Sequence, residues 1–354
     1  MPRLVAVEAS GQVFVEQMQR IWDGGDAVAP IDPRLPPPAR GLVERALRVG
    51  QEVESDDALV IATSGTNGDP KGVVLTHAAL AASARATSAR LRVDRDRDHW
   101  LACLPLAHIG GLSVVLRSLL TDTSFTVQES FDLDAVAQAA TAGATLISVV
   151  PTMLQRIDPS PFRCVLLGGA APLGALAGNV VTTYGLTETG SGISYDGVAL
   201  DGVEIRIDDG EIAVRGPMLL RCYRDGADPK DSEGWFATGD AGTITPDGRL
   251  KVTGRIGDVI NTGGEKVWPA AVERVLIAAP GVAEVAVAKR ADPDWGERVV
   301  AFVVPADSRN PPTLEALRSL VRDQLPAYAA PRELVLVDRL PRTTSGKVRR
   351  VDLV

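Results

Sequence analysis

The chain reads Thr63-Ser64-Gly65-Thr66-Asn67-Gly68-Asp69-Pro70-Lys71-Gly72 at its most informative point. This stretch follows the apolar run 58–62, which predicts a buried strand, and precedes a second strand-like run at 73–75. Its glycines allow a backbone that turns several N–H groups toward one anion, and its hydroxyls and lysine supply further donors. The stretch therefore predicts a loop that binds a polyphosphate between two strands, with a helix only after Thr76.

This loop differs from the Walker loop of P-loop nucleotide hydrolases. In G-x-x-x-x-G-K-[ST] a hydroxyl residue follows the lysine and a helix begins there, whereas Gly72 follows Lys71 here. A loop rich in Gly, Ser and Thr is by itself more often an ordinary connection than a phosphate site. Nucleotide binding therefore has to be argued from the other motifs of the chain.

Strand-like and helix-like segments alternate from about residue 57 to 185. The strand-like runs are 58–62, 100–104, 124–128, 145–150 and 163–167. Such alternation is typical of a layered α/β domain. The first 55 residues predict a helix-bearing lead-in that is interrupted by a surface connection at 31–38.

The pattern of apolar and polar residues changes twice after this region. Short alternating runs between 196 and 253, separated by turn signals such as Asp209-Gly210, predict an antiparallel β subdomain. Beyond Gly254 two helices and three strands predict a compact α+β unit. Its helices are expected at about 269–278 and 313–324, and its strands at 283–289, 298–304 and 333–337.

The sequence thus predicts an α/β fold with an added α+β unit, divided between two domains. A large N-terminal domain, 1–254, would combine layered α/β subdomains with a small β-rich subdomain. A small C-terminal α+β domain, 255–354, would follow it. The boundary is expected near 254–258, where Gly254 and Gly257 flank a charged turn.

Composition narrows the class of protein further. Apolar residues make up 45% of the chain and charged residues 23%, which is ordinary for a soluble enzyme. No run of about 18 apolar residues occurs, so membrane insertion is not expected. The net charge of −8 argues against a nucleic-acid partner. The three widely spaced cysteines fit a reducing cytoplasm, and a homo-oligomer is compatible with all of this.

Two short motifs suit a nucleotide. Tyr184-Gly185-Leu186-Thr187-Glu188-Thr189 offers an aromatic face for a base, a hydroxyl at Thr187 and a carboxylate at Glu188 suited to Mg²⁺. Thr238-Gly239-Asp240 places a carboxylate beside a glycine, where it can accept hydrogen bonds from ribose hydroxyls. Taken singly, each motif is more often a surface turn.

Two further motifs lie near the expected boundary and the C-terminus. Gly254-Arg255-Ile256-Gly257-Asp258 carries an arginine that can reach ribose or phosphate, and the pair Gly263-Gly264 follows it. The segment 341–347 ends in Lys347, a cation suited to charge that develops on a transferring group.

Together and in this order, the motifs from about residue 58 to 350 resemble those of the adenylate-forming superfamily of acyl-CoA synthetases, luciferases and peptide-synthetase adenylation domains. The resemblance implies that ATP and a carboxylate form an acyl-adenylate and pyrophosphate, after which a thiol, usually that of coenzyme A, displaces AMP. It also implies a mobile C-terminal domain that withdraws Lys347 after the first step. The implied cofactors are ATP, Mg²⁺ and coenzyme A, and the partner is a small carboxylate.

The resemblance assigns roles residue by residue. The implied ATP-binding residues are Thr63, Ser64, Gly65, Thr66, Asn67, Gly68, Lys71, Gly169, Ala170, Tyr184, Gly185, Thr187, Asp240, Arg255 and Lys347. The implied catalytic residues are Lys347, His108, Thr187 and Glu188, with Glu188 as metal ligand. Gly263 and Gly264 would line the thiol channel. Two departures from the family pattern stand out: the link from Pro172 to Tyr184 is short, and Gly257 occupies a hinge position that is often Asp or Lys.

The segment 104–113 indicates which acyl substrate is expected. Its His-Ile-x-Gly-Leu-Ser run, His108 to Ser113, resembles the o-succinylbenzoate–CoA ligases of menaquinone biosynthesis. That resemblance implies an acyl pocket with His108, Gly110 and Ser113, and it makes Arg117 a candidate for the second carboxylate of the dianion. A helix arginine is more often solvated. Another aryl- or acyl-CoA ligase, an enzyme that loads a carrier protein, and a non-catalytic nucleotide-binding relative remain as alternatives.

Overall fold

The computed structural model describes residues 1–64, 70–170, 172, 175–342 and 348–353, with the backbone alone at Ser64. Its strands are β1 (Leu4–Val7), β2 (Ala27–Pro30), β3 (Asp57–Ser64), β4 (Pro70–Thr76), β5 (His99–Ala102), β6 (Ser124–Val127), β7 (Leu146–Val149), β8 (Cys164–Leu167), β9 (Val180–Leu186), β10 (Ser191–Tyr195), β11 (Val198–Ala199), β12 (Glu204–Asp208), β13 (Glu211–Arg215), β14 (Cys222–Tyr223), β15 (Phe236–Ile244), β16 (Leu250–Arg255), β17 (Ile260–Thr262), β18 (Glu265–Val267), β19 (Val282–Asp292), β20 (Gly296–Pro305) and β21 (Glu333–Leu336). Its α-helices are α1 (Gly11–Asp23), α2 (Pro37–Leu47), α3 (His77–Arg90), α4 (Ile109–Leu120), α5 (Leu133–Thr141), α6 (Pro151–Leu154), α7 (Pro269–Leu276) and α8 (Leu314–Arg322).

The first sheet has the order β1-β2-β3-β4-β14. The strands β1, β2 and β3 run parallel, and β3 and β4 form an antiparallel hairpin. The short strand β14, far along the chain, pairs with the outer edge of β4. The hairpin that carries the glycine-rich stretch is therefore held on both sides by other strands.

The second sheet has the order β11-β10-β9-β8-β7-β5-β6, with parallel pairing from β6 to β9. The helices α3 and α4 pack on each other between the first two sheets. Helix α3 begins at His77 because the Thr76 hydroxyl accepts a hydrogen bond from the Ala79 N–H at 3.1 Å. These layers confirm the predicted α/β architecture; within them β4 contacts the turn Thr187–Thr189 that follows β9, and α4 contacts β10.

The last two sheets are mainly antiparallel. The third has the order β12-β13-β15-β16, and the fourth has the order β18-β17-β20-β19 with β21 parallel to β20. Side chains of the first three sheets share one hydrophobic core, while the fourth sheet packs α7 and α8 in a separate core around Val272 and Leu317. The antiparallel β subdomain and the α+β unit are thus confirmed.

The N-terminal region differs from expectation. It contains the helices α1 and α2, in agreement with a helix-bearing lead-in, but it also supplies the two buried strands β1 and β2. Ile31 and Asp32 are buried, so the segment 31–38 is not wholly a surface connection, and its later prolines begin α2. Four-residue strands that are covered on both faces show no polar alternation, which is why the local pattern missed them.

The segment at Tyr184-Gly185, which resembles a turn in the sequence, is a strand, whereas Gly263-Gly264 is a turn as its glycines suggest. Tyr184 and Gly185 lie on β9, and Gly263-Gly264 is the two-residue turn of the hairpin β17–β18, with φ of 59° and 85°. Positive φ at both turn residues matches the right-handed strand twist and favours glycine there. None of the described helices is long and apolar enough to span a membrane.

Candidate active site

The described ends of the glycine-rich stretch lie on β3 and β4. Thr63 pairs with Lys71 and Ser64 pairs with Pro70, while Gly65, Thr66, Asn67 and Gly68 lie outside the described residues. Position 72 requires glycine for a steric reason, since a Cβ there would lie 2.7 Å from the Cβ of Arg224. The strand that carries Lys71 is therefore fixed against the segment around β14.

A tight turn presents Glu188. Residues Thr187–Thr189 form a 3-10 turn after β9, and the Thr189 hydroxyl accepts from the Leu186 N–H at 2.9 Å and donates to the Ser191 carbonyl at 2.7 Å. The Leu220 N–H donates to the Glu188 carbonyl at 2.7 Å. The backbone that carries Glu188 is thus fixed from both sides, and its carboxylate contacts β14.

Tyr223 of β14 was not foreseen in the site. Its hydroxyl donates to Glu188 Oε1 at 3.3 Å, and Lys71 Nζ lies 5.3 Å from the centroid of its ring. Burial, and then the neighbouring Glu188 carboxylate, raise the pKa of Tyr223 to about 12. The phenol therefore stays protonated and keeps donating. No local signal in the sequence marks this tyrosine.

Asp240 of β15 sits in a network of donors. The Tyr184 hydroxyl donates to Asp240 Oδ2 at 2.8 Å, and Arg255 Nε lies 3.1 Å from Asp240 Oδ1. The Asp240 N–H donates to the Thr238 hydroxyl at 3.1 Å. Burial and the Asp240 charge raise the pKa of Tyr184. The structure thus brings together three residues singled out from separate motifs.

Gly185 is required by a close approach of strands. A Cβ at this position would lie 2.1 Å from the Ser191 carbonyl oxygen of β10. The register of β9 on β10 is irregular between Gly192 and Ser194, next to the position opposite Gly185. The two glycines therefore let the Glu188 turn fold tightly over the strand pair.

We expect Gly185→Ala to lower the free energy of unfolding by about 1–3 kcal/mol, because the added methyl group meets backbone that cannot move aside. The measurement is the urea midpoint of unfolding. Gly178→Ala is the matched control, since a Cβ there meets nothing within 4 Å. Equal midpoints for the two variants would contradict the steric explanation.

His108 caps the start of α4. Its carbonyl accepts from the Leu112 N–H at 3.0 Å, and a Cβ on Gly111 would lie 2.5 Å from the Leu104 carbonyl oxygen. Burial alone would raise the pKa of Asp32, but hydrogen bonds from Arg34 and the charge of His108 bring it below the usual value. Asp32 is therefore an unforeseen acidic neighbour of this segment.

Arg117 is buried, which contradicts the expectation of a solvated helix arginine. Its Nη2 lies 2.9 Å from Ser113 Oγ and 3.2 Å from Ser191 Oγ, and its guanidinium stacks 4.8 Å from the Trp100 ring centroid. Its Nη1 is buried without a hydrogen-bond partner in the described structure. Burial lowers the pKa of the guanidinium. A cavity of about 10 Å³ beside it extends to Gly190.

The hairpin turn at Gly263 lies against a large aromatic ring. A Cβ on Gly263 would lie 2.4 Å from a ring carbon of Trp295, and the Gly263 N–H donates to the Trp295 carbonyl at 2.9 Å. The Arg332 guanidinium also lies over this half-exposed ring, 4.0 Å from its centroid. Only glycine leaves the turn as thin as it is.

Lys347 lies outside the described residues, but the chain on either side of it is anchored. Arg342 pairs with Val348 in an isolated bridge, and Arg342 Nη2 lies 2.5 Å from Glu284. Arg350 contacts Asp258 at 3.2 Å and Glu273 at 2.7 Å. Asp258, next to Gly257, thus keeps a polar contact that Gly257 itself lacks.

The donor set fits Mg²⁺ only as part of a nucleotide complex. Among the described residues no group of three or more His, Cys, Asp or Glu side chains could hold a metal ion. Mg²⁺ in nucleotide sites keeps several waters and takes one or two protein carboxylates together with phosphate oxygens. Glu188, with the Thr187 hydroxyl beside it, supplies this kind of partial ligand set.

The chain is similar to known proteins along most of its length. The model of the AMP-binding enzyme family matches residues 35–224, and that of the AMP-binding enzyme C-terminal domain matches 271–347. A protein of Mycobacterium tuberculosis named "Probable 2-succinylbenzoate--CoA ligase" is 40% identical over 97% of this chain and 94% of its own length.

Two solved structures of o-succinylbenzoate coenzyme A synthetase (MenE) from Bacillus subtilis align with the fold. One holds the acyl-adenylate intermediate OSB-AMP, with a TM-score of 0.88, 27% identity, and coverage of 99% of this chain and 88% of the other. The second holds ATP and a magnesium ion, with a TM-score of 0.89, 27% identity, and coverage of 99% and 89%.

Proposed function

The chain belongs to the family of AMP-binding enzymes, and we propose that it is an acid–thiol ligase that joins 2-succinylbenzoate (o-succinylbenzoate) to coenzyme A at the expense of ATP. The products would be 2-succinylbenzoyl-CoA, AMP and pyrophosphate, in the cytoplasmic synthesis of menaquinone (vitamin K2). One observation carries the proposal: the turn from Thr187 to Ser191 contacts Tyr223 beside Lys71 on one side and the buried Arg117 on the other. Lys71, the cation we propose for phosphate, and Arg117, the cation we propose for the second carboxylate, thus lie near the same turn.

The first step is attack of the aliphatic carboxylate of the substrate on the α-phosphorus of ATP. A carboxylate–phosphorus bond forms, the bond to the bridging oxygen breaks, and pyrophosphate leaves with that electron pair. Lys71 and the stretch 63–72 would hold the β- and γ-phosphates, and Lys347 would stabilise charge on the α-phosphate. Mg²⁺ that arrives with ATP would neutralise phosphate charge, and Glu188 and Thr187 would hold it.

The nucleoside would lie across β9 and β15. Asp240, held by Tyr184 and Arg255, would accept hydrogen bonds from both ribose hydroxyls. Tyr184, Gly169 and Ala170 would flank adenine. In the described part of the connection between β8 and β9 there is no helix, which leaves this side of the base more open.

The acyl group would lie between α4 and β10. His108 would border the reacting carboxylate, Gly110 and Ser113 would line the pocket, and Arg117 would receive the benzoate carboxylate through its unpartnered Nη1. A buried guanidinium without a carboxylate partner favours an anionic ligand, because two serines and the Trp100 ring compensate its desolvation only in part.

The second step is attack of the CoA thiolate on the acyl carbon, with AMP as the leaving group. We propose that the domain 255–354 turns about Gly257 relative to 1–254, which removes Lys347 and brings Gly263 and Gly264 to the thiol channel. The thin hairpin turn at Gly263 and the Asp258–Arg350 contact support such a role.

Pyrophosphate release with ATP and a panel of carboxylates, with and without CoA, tests the whole proposal. We expect release that depends on 2-succinylbenzoate and thioester formation that depends on CoA. Release with another aryl or acyl acid instead would replace the substrate assignment. Adenylate formation that never gives a CoA thioester would favour loading of a carrier protein. Light scattering of the same preparation would establish whether a homo-oligomer is present.

A further inference from the structure

Tyr223 lies between two charged groups of opposite sign. The strand β14 pairs Tyr223 with Val73 of β4, so that Lys71, two residues before Val73, projects from the same face of β4 as Val73. The Lys71 ammonium lies 5.3 Å from the ring centroid, within the range of a cation–π contact. On the other side the Tyr223 hydroxyl donates to Glu188 Oε1.

The backbone around Tyr223 holds both partners as well. The Arg224 N–H donates to the Gly72 carbonyl at 2.7 Å, next to Lys71, and the Leu220 N–H donates to the Glu188 carbonyl at 2.7 Å. The segment 220–224 therefore fixes the lysine strand and the Glu188 turn at the same time. Tyr223 is the side chain of this segment that touches both charged groups.

We propose that Tyr223 is a positioning residue for MgATP. It holds the Glu188 carboxylate in place for the metal and keeps the Lys71 ammonium apart from that carboxylate. The inference rests on the proposed function for the identity of the nucleotide. Among the described contacts Lys71 and Glu188 form no direct ion pair: the ammonium lies over the Tyr223 ring, and the carboxylate accepts from the Tyr223 hydroxyl. Without the ring the two charges would neutralise each other, and both would be lost to the phosphates and their cation.

Tyr223→Phe removes only the hydrogen bond to Glu188. We expect the dissociation constant of MgATP, measured by calorimetry without carboxylate substrate, to rise about tenfold, since hydrogen bonds to charged groups have effects of this order. The dissociation constant of ATP in EDTA should not change. Tyr223→Leu removes the ring as well, so binding of metal-free ATP should also weaken.

The matched control is Tyr195→Phe, at a buried tyrosine whose hydroxyl lies 3.1 Å from the Thr87 hydroxyl and which is not among the residues proposed to bind ATP. It should bind MgATP as the unchanged protein does. Transfer to CoA from preformed acyl-adenylate should be normal in Tyr223→Phe, which excludes general misfolding.

Unchanged MgATP binding in Tyr223→Phe, or an equal loss with and without the metal, would overturn the inference. Failure of the proposed function gives a different result: the unchanged protein would bind MgATP but form no 2-succinylbenzoyl-CoA. In that case the Tyr223 effect on binding would still be measurable and would still support the positioning role.

Discussion

We expect Arg117→Met to raise the KM for 2-succinylbenzoate on the order of a hundredfold, with a smaller change in kcat. Truncating one partner of a buried charge pair costs about 2–5 kcal/mol, and each 1.4 kcal/mol corresponds to about a factor of ten. Methionine fills much of the space of arginine and leaves no guanidinium for the benzoate carboxylate. Steady-state pyrophosphate release at saturating ATP gives both constants.

A matched substrate separates charge recognition from structural damage. The analogue 4-oxo-4-phenylbutanoate lacks the benzoate carboxylate, so the Arg117→Met variant and the unchanged protein should use it about equally well. Arg156→Met is the control variant, because Arg156 is an exposed arginine stacked on Phe131. An unchanged KM for 2-succinylbenzoate, or an equal loss with both acids, would remove Arg117 from the recognition of the second carboxylate.

Lys347→Ala should slow adenylate formation on the order of a hundred- to a thousandfold, the usual cost of losing one donor to developing charge. Transfer from preformed acyl-adenylate to CoA should change less than about threefold, because Lys347 would be withdrawn in that step. The two rates are measured separately, the first by pyrophosphate release and the second by thioester formation from synthetic adenylate.

Lys251→Ala on the outer strand β16 provides the control for loss of a lysine, and both of its rates should be normal. A comparable loss of both steps in Lys347→Ala would contradict the proposal of a moving C-terminal domain. Such a result would indicate that Lys347 stays in the active site during both steps.

Local signals were enough to predict much of the fold. The apolar run before Thr63 and the threonine cap of α3 are encoded by neighbouring residues, so the hairpin β3–β4 and its helix could be predicted. The arginine at 117 could be proposed from its place after His108. Its burial could not, because this depends on Trp100 and on Ser191, which other parts of the chain supply.

Long-range pairing explains what the sequence did not reveal. Tyr223 lies in a stretch without a motif, and it reaches the site only because β14 joins β4. Asp32 comes near His108 because β2 is a buried strand of the first sheet, and the strand itself is too short to show a pattern. Both residues owe their positions to neighbours that are remote in sequence, so local sequence patterns could not predict these positions.

The position of β14 also determines when the nucleotide site can form during synthesis. One edge of β4 stays unpaired until residues 222–223 have been synthesised. The neighbouring Arg221 binds Asp57, which lies 164 residues earlier in the chain. A nascent chain that ends before this point exposes an unpaired strand edge, which other chains can join. Closing so long a loop is also slow compared with local folding. Ligand binding stabilises only the folded state, so ATP cannot protect a chain whose synthesis has not yet reached residue 223.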